Sequence, residues 1–162
     1  MKKLAILFTI AMAGTPAIAD QCDKDQQIRA LALNMYHEAR GEGADAMQML
    51  GEVTLNRVAN PHFPNNICSV VYQARFDRKG NPIRHQCQFS WFCDGRSDRA
   101  RNEEYWNTAK ELATGLVEGT IETFGIDATH YHTKDVSPYW ADRYALVGQY
   151  GNHLFYHMGD RL

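Results

Sequence analysis

Ile28-Arg29-Ala30-Leu31-Ala32-Leu33-Asn34-Met35-Tyr36-His37-Glu38-Ala39 is the stretch from which the fold can be read. Ile28, Leu31, Ala32 and Met35 stand at i, i+3, i+4 and i+7, and the stripe continues through Glu38 and Ala39. That spacing predicts an amphipathic α-helix. Asp23 or Asp25 is available as its N-terminal cap, and Gly41 and Gly43 stop it. The same spacing puts a carboxylate on the side that turns to the core. Burial disfavours a charged carboxyl group and raises its pKa, which suits Glu38 to work as a general acid. On position alone, a helix-end glutamate paired with Arg40 or Arg57 is the more ordinary reading.

A second helix is predicted from about Asp45 to Val58, with Ala46, Met49, Leu50, Val53 and Arg57 on one face and Asn60-Pro61 at its end. A third starts near Asp98 and runs through Trp106, Ala109, Leu112, Ala113 and Leu116 to about Val117, with Trp106 in the core. Between them, His62 to Gly95 reads as one long irregular stretch holding three of the four cysteines, and a loop that long is usually functional or cross-linked. Ile126–Thr133 and Leu154–Met158 are short, aromatic-rich and bounded by turn residues, the pattern of a small antiparallel β element. The expected class is α+β, a mainly helical lobe followed by a smaller β lobe. No repeat or linker divides the chain after its first residues.

Those first residues read as an export signal. Met1-Lys2-Lys3 is followed by the apolar run Leu4–Ala13 and by Ala17-Ile18-Ala19, a positive start, a short apolar core and a small-x-small cleavage pattern. Residues 1–19 are expected to be removed, leaving 20–162 as one catalytic domain. Removing Lys2 and Lys3 from the 17 basic residues leaves 15 against 19 acidic ones, a formal charge of −4. That balance argues against a nucleic-acid partner, which normally calls for a basic face. Cys22, Cys68, Cys87 and Cys93 form an even set in an exported chain, so two disulfides are expected. The sequence leaves three pairings open, with a lean toward Cys87–Cys93. The disulfide count fits a periplasmic or secreted protein.

Further blocks carry a family resemblance. Tyr36-His37-Glu38-Ala39-Arg40-Gly41-Glu42 is followed by Glu52-Val53-Thr54-Leu55-Asn56-Arg57-Val58, then by Phe63-Pro64-Asn65, Cys68-Ser69-Val70-Val71-Tyr72-Gln73 and Cys87-Gln88-Phe89-Ser90-Trp91. Ala128-Thr129-His130-Tyr131-His132, Val136-Ser137-Pro138-Tyr139-Trp140 and Gly151-Asn152-His153-Leu154-Phe155-Tyr156 complete the series. In this order the blocks resemble the spore cortex-lytic, SleB/CwlJ-type cell-wall hydrolases. The resemblance implies a goose-lysozyme-like or resuscitation-factor-like α+β domain that cleaves peptidoglycan between N-acetylmuramic acid and N-acetylglucosamine, with Glu38 as the catalytic acid. Members are described as lytic transglycosylases, which need one carboxyl group. Hydrolytic glycosidases need two, about 5–5.5 Å apart for retention or roughly 6.5–9.5 Å for inversion.

Glu42, Glu52 and Asp94 are the rival second acids; Asp94-Gly95 is more simply a turn. Glu42 and Glu52 are candidates to contact substrate or stand directly behind the groups that do, as are Gln88, Ser90, Tyr131 and His153. Tyr36, Phe89, Trp91, Tyr139 and Trp140 could stack on sugars or fill the core. Arg40 and Arg57 are expected to be structural. His130-x-His132 and His153-x3-His157 could form a zinc site for an amidase, but the chain lacks a helical H-E-x-x-H, and no metal or other cofactor is expected. A sugar-binding scaffold without catalysis is the remaining class. The reading adopted is a monomeric peptidoglycan lytic transglycosylase, with a hydrolytic muramidase as the alternative and the zinc amidase behind both.

Overall fold

A computed structural model describes residues 22–159. The export signal over 1–19 and the start of the mature chain at Asp20 lie outside these residues. The elements are helix α1 (Lys24–Ala39), α2 (Ala44–Ala59) and α3 (Ile67–Val71), strands β1 (Ala74–Phe76) and β2 (Pro82–Cys87), helix α4 (Glu103–Glu118), and strands β3 (His130–Thr133), β4 (Ala145–Tyr150) and β5 (His153–His157). The α+β class follows, with all four helices before the three-stranded sheet.

Helix α1 is the centre of the molecule. Asp23 caps it, accepting from the Gln26 backbone N–H while the Gln26 side chain returns the bond to Asp23 N–H. This reciprocal pair satisfies two of the donors that a helix start leaves free. Helices α2, α3 and α4 all pack against α1, so every residue from Ala30 to Tyr36 is buried rather than a single stripe. Asn34 is buried among apolar neighbours, donating to Thr54 Oγ1 at 3.3 Å and accepting from Trp91 Nε1 at 3.1 Å. Gly51 lets α1, α2 and α4 close up, because a Cβ there would stand 2.7 Å from Leu116 Cδ1 and 3.0 Å from Met35 Sδ.

Four boundaries differ from the expectation, one being that β3 starts at His130 and not at Ile126. Helix α4 begins at Glu103, capped by Asn102, whose side chain accepts from Tyr105 N–H. Residues 98–102 are held outside it, with the Arg101 and Asn102 backbone N–H groups bonded to the Tyr36 hydroxyl. The stretch 62–95 contains α3, the β1–β2 hairpin and a 3-10 turn, Ser90–Cys93. The C-terminal sheet has a third strand, β4, in the antiparallel order β3-β5-β4. The cysteines pair as Cys22–Cys68 and Cys87–Cys93. The first ties the start of α1 to α3, and the second closes the turn after β2.

The irregular run from α4 to β3 is held by one face of α2. Gln48, Glu52 and Asn56, four residues apart, lie in line along the helix. Gln48 Nε2 donates to Glu122 O, Glu52 Oε1 accepts from Phe124 N–H, and Asn56 Nδ2 donates to the Ile126 and Ala128 carbonyls. Arg57 Nε adds a bond to Thr129 O at 2.7 Å. These contacts deliver β3 to its place beside the end of α1. Among the described residues no helix is long and apolar enough to cross a membrane.

Candidate active site

Glu38 sits on the last turn of α1, part-buried, at the bottom of a cleft of about 260 Å3. The rest of the cleft is built from four places in the chain. Helix α2 supplies Arg57, the turn after β2 supplies Gln88, Phe89 and Ser90, β3 supplies Tyr131, His132 and Thr133, and β5 supplies His153. Glu38 is the only carboxylate among these lining residues.

The Tyr131 hydroxyl donates to Glu38 Oε2 at 2.9 Å. Burial holds the Tyr131 phenol well above its usual pKa, and the adjoining Glu38 pushes the same way, so Tyr131 is a neutral donor at any ordinary pH. The carboxyl of Glu38 is raised by burial, against a smaller lowering from the Tyr131 bond and the Arg57 charge. Burial outweighs both partners, and the group holds its proton at higher pH than a free glutamate.

Arg57 is 3% exposed. Its guanidinium lies over the rings of Phe63 and Phe89, 5.5 and 5.3 Å from their centroids. Burial pulls its pKa down, while Tyr131 and Glu38 hold it up. Nη1 has no protein partner although it is buried. The cation lies close enough to Glu38 and Tyr131 to act on both through its charge. The expectation of a structural Arg57 accounts for its Thr129 bond but not for its place in the cleft wall. The lining roles of His132 and Thr133 were likewise not read from sequence; their adjacency to Tyr131 was the available signal.

The other expected site residues divide. Gln88 and Ser90 are exposed side chains on the cleft wall, and His153 lines it from β5, its ring 5.4 Å from that of Tyr131. Glu42 stands behind His153, with Oε1 3.0 Å from its Nδ1 and Oε2 accepting from Asn152 N–H. It thus braces the β4–β5 turn and caps no helix. Glu52 belongs elsewhere. It is 4% exposed and, with Leu55 and Asn56, lines a separate pocket against 123–127, where its carboxylate holds the Phe124 and Gln48 N–H groups. The expectation that Glu52 contacts substrate or stands directly behind the groups that do is corrected, because its carboxylate holds the Phe124 N–H and lines a pocket other than the Glu38 cleft. Asp94 is a turn residue that accepts from Arg96 N–H.

The aromatic residues also divide. Tyr36 and Trp91 are core, and Phe89 is buried beneath Arg57. Phe89 and Trp91 alternate in sequence with Gln88 and Ser90, and the structure buries the first pair while the second stays exposed on the cleft wall. Trp106 is only half-buried, flanked by Arg29 and Lys110. Trp140 packs with His130, His132, Tyr144 and Tyr156, whereas Tyr139 is 82% exposed. Arg40 covers the Tyr36 ring at 4.9 Å.

The histidines have separate partners. His130 meets Thr129 Oγ1, His132 meets the Tyr156 hydroxyl, His153 meets Glu42 and His157 meets Asp127. Among the described residues no three potential ligands gather at one point. His130 is lowered from 6.5 to about 4 by burial and then by the Arg57 charge. Its folded pKa lies below its unfolded one, so its contribution to stability is intact above pH 6.5 and is lost as pH falls through the folded value. The full shift corresponds to about 3 kcal/mol, and roughly half of that is expected at a half-exposed ring. Urea titrations from pH 7 to 4 are expected to show this loss in the parent and a shallower one in His130→Gln. Parallel profiles would refute it.

A cell wall hydrolase family model matches residues 41–156. The spore cortex-lytic enzyme of Bacillus subtilis (strain 168) is 29% identical over 133 residues, and that of Halalkalibacterium halodurans 26% over 132; each match covers 81% of this chain. The matches span 37% and 34% of those proteins, so the chain corresponds to about a third of each relative's length. Among solved structures, the catalytic domain of the Bacillus cereus SleB protein superposes with a TM-score of 0.60 at 23% identity, covering 89% of this chain and 98% of that one. The catalytic domain of the germination-specific lytic transglycosylase SleB from Bacillus anthracis gives 0.63 at 24%, covering 84% and 98%. The fold is theirs, and with a family model spanning most of its length, this chain belongs to the cell wall hydrolase family.

Proposed function

We propose that the chain cleaves the glycan strand of peptidoglycan between N-acetylmuramic acid and N-acetylglucosamine as a lytic transglycosylase, with Glu38 as its single acid and base. The observation that carries this reading is one protonatable carboxyl in a cleft lined by no second carboxylate. In the first step, protonated Glu38 gives its proton to the glycosidic oxygen, and the bond from that oxygen to C1 of muramic acid breaks. The resulting Glu38 carboxylate lies near Arg57 and accepts from Tyr131. It then takes the proton of the same sugar's 6-hydroxyl as O6 bonds to C1. The product is a 1,6-anhydro ring, Glu38 is protonated again, and no water is consumed. Hydrolysis would need a second acid to activate water, and Glu52, the alternative, lines another pocket.

The protein is proposed to act on peptidoglycan as a monomer in the periplasm or outside the cell, after removal of residues 1–19. Mass spectrometry of digested peptidoglycan tests the reaction. Anhydro-muramic ends are expected; reducing muramic ends would move the chemistry to hydrolysis, and cleaved peptides with intact glycan would overturn the proposal.

Tyr131→Phe separates acid tuning from simple packing. The lost bond stabilised the Glu38 carboxylate, so the Glu38 pKa is expected to rise further. The alkaline limb of kcat/KM, set by loss of the Glu38 proton, moves to higher pH, while the maximal rate falls by about tenfold or more. An unmoved limb, or one moved to lower pH, would show that Tyr131 does not tune the acid.

A further inference from the structure

Charge is unevenly distributed along this acidic chain. Residues 74–101 carry seven basic side chains against three acidic ones, whereas 22–73 and 102–159 together carry seven basic against fourteen acidic. Arg75, Arg78, Lys79 and Arg84 lie on the β1–β2 hairpin, with Arg96, Arg99 and Arg101 following, and all seven are exposed. Among the described residues none of them forms an ion pair. Two of the three neighbouring acids are engaged with backbone, Asp77 accepting from Lys79 and Asn81 N–H and Asp94 from Arg96 N–H, while Asp98 faces His37. Phe76 is exposed on the same hairpin. Leaving this many cations together and unpaired costs self-repulsion, which an anionic partner would relieve.

The hairpin rises from the cleft wall. Its base is closed by the Gln88 N–H to Gln73 O bond, and Gln88, Phe89 and Ser90 then line the cleft that holds Glu38. At about 3.3 Å per strand residue, the tip reaches roughly 20 Å from that base. Peptidoglycan carries peptide stems on its muramic acid, and those stems bear free carboxylates. An extended stem of four or five residues spans roughly 13–18 Å. The reach and sign of the hairpin match it.

We propose that the β1–β2 hairpin is a docking arm for the carboxylates of the peptide stems beside the bond presented to Glu38. The choice of polymer rests on the glycan-cleaving reading above. The arm makes the enzyme selective for peptide-bearing strands over strands whose stems are missing or uncharged. It acts through several weak, exposed contacts, each sensitive to salt.

The test is co-sedimentation of the protein with lipid-free, teichoic-acid-free sacculi, before and after carbodiimide amidation of their carboxyl groups. Native sacculi are expected to bind about tenfold more tightly at low salt, with the difference closing by about 0.5 M NaCl. In Arg75→Gln/Arg78→Gln/Lys79→Gln/Arg84→Gln the preference is lost, while lysine at the three arginine positions keeps it. Equal binding to both sacculi by the parent, or a preference surviving in the glutamine variant, would overturn the proposal. So would a variant whose only loss is binding to anionic phosphatidylglycerol vesicles, which would make the arm a membrane contact. Binding is read without cleavage, so preferential binding with no glycan cleaved would sink the function and spare the arm, whereas cleavage without preference would do the reverse.

Discussion

Glu38→Gln is expected to lower glycan cleavage by at least about 10³-fold while making the folded protein more stable at neutral pH. The activity loss follows from the chemistry, since an amide cannot deliver the proton that the leaving oxygen needs and no other cleft carboxylate can replace it. General acid-base catalysis contributes on the order of 10²–10⁴ in rate, and Glu38 is asked to serve both halves of the reaction. A 10³-fold loss corresponds to about 4 kcal/mol of transition-state stabilisation.

The stability gain follows from the sign of the pKa shift. The folded pKa of Glu38 lies above its unfolded value of about 4.5, mainly through burial. Its contribution is therefore intact at low pH and is lost as pH rises from the unfolded pKa through the folded one. Glutamine has nearly the same shape, can accept from the Tyr131 hydroxyl and never ionises, so the variant avoids that loss. Thermal melts at pH 4 and pH 7 should coincide more closely for the variant than for the parent, with the variant higher at pH 7. A glutamate kept for a structural ion pair would behave oppositely, losing stability and keeping activity. Retained cleavage in Glu38→Gln would end its assignment as the acid.

What could be read in the sequence was what short-range periodicity controls. Helix α1, the approach of Glu38 to the core and the extent of α2 follow from spacings of three and four. The β1–β2 hairpin has no apolar face to give it a pattern, because most of its residues point to solvent. Strand β4 is an edge strand with Leu146 and Val147 exposed and its register broken near Gly148, so the alternation that identifies a half-buried strand is missing. The site itself depends on contacts distant in sequence: Tyr131 reaches Glu38 across 93 residues. Glu52 lies on α2, which packs against α1, yet the face on which it stands is decided by the ladder Gln48, Glu52, Asn56. That four-residue spacing was visible in the sequence, but the backbone groups it serves at 122–128 have no pattern of their own.

The two disulfides are expected to fail in different ways. Cys22–Cys68 spans 46 residues and Cys87–Cys93 spans 6. If a cross-link acts by restricting the unfolded chain, the long loop is worth about 4 kcal/mol and the short one about 2. Against a typical total of 5–15 kcal/mol, Cys22→Ser/Cys68→Ser should bring the urea midpoint down sharply. It frees the start of α1 from α3, at the opposite end of α1 from Glu38, so the fraction that stays folded should cleave glycan at close to the parent rate. Cys87→Ser/Cys93→Ser should cost less stability and more activity. Its bridge encloses Gln88, Phe89 and Ser90, one whole wall of the cleft, leaving the Gln88 N–H to Gln73 O and Trp91 to Asn34 bonds to hold that turn in register. Specific activity corrected for folded fraction, measured beside each urea midpoint, separates the two effects. Equal activity in the two double variants would mean that the turn after β2 needs no covalent closure to present its side chains, and that packing of Phe89 and Trp91 alone sets the cleft wall.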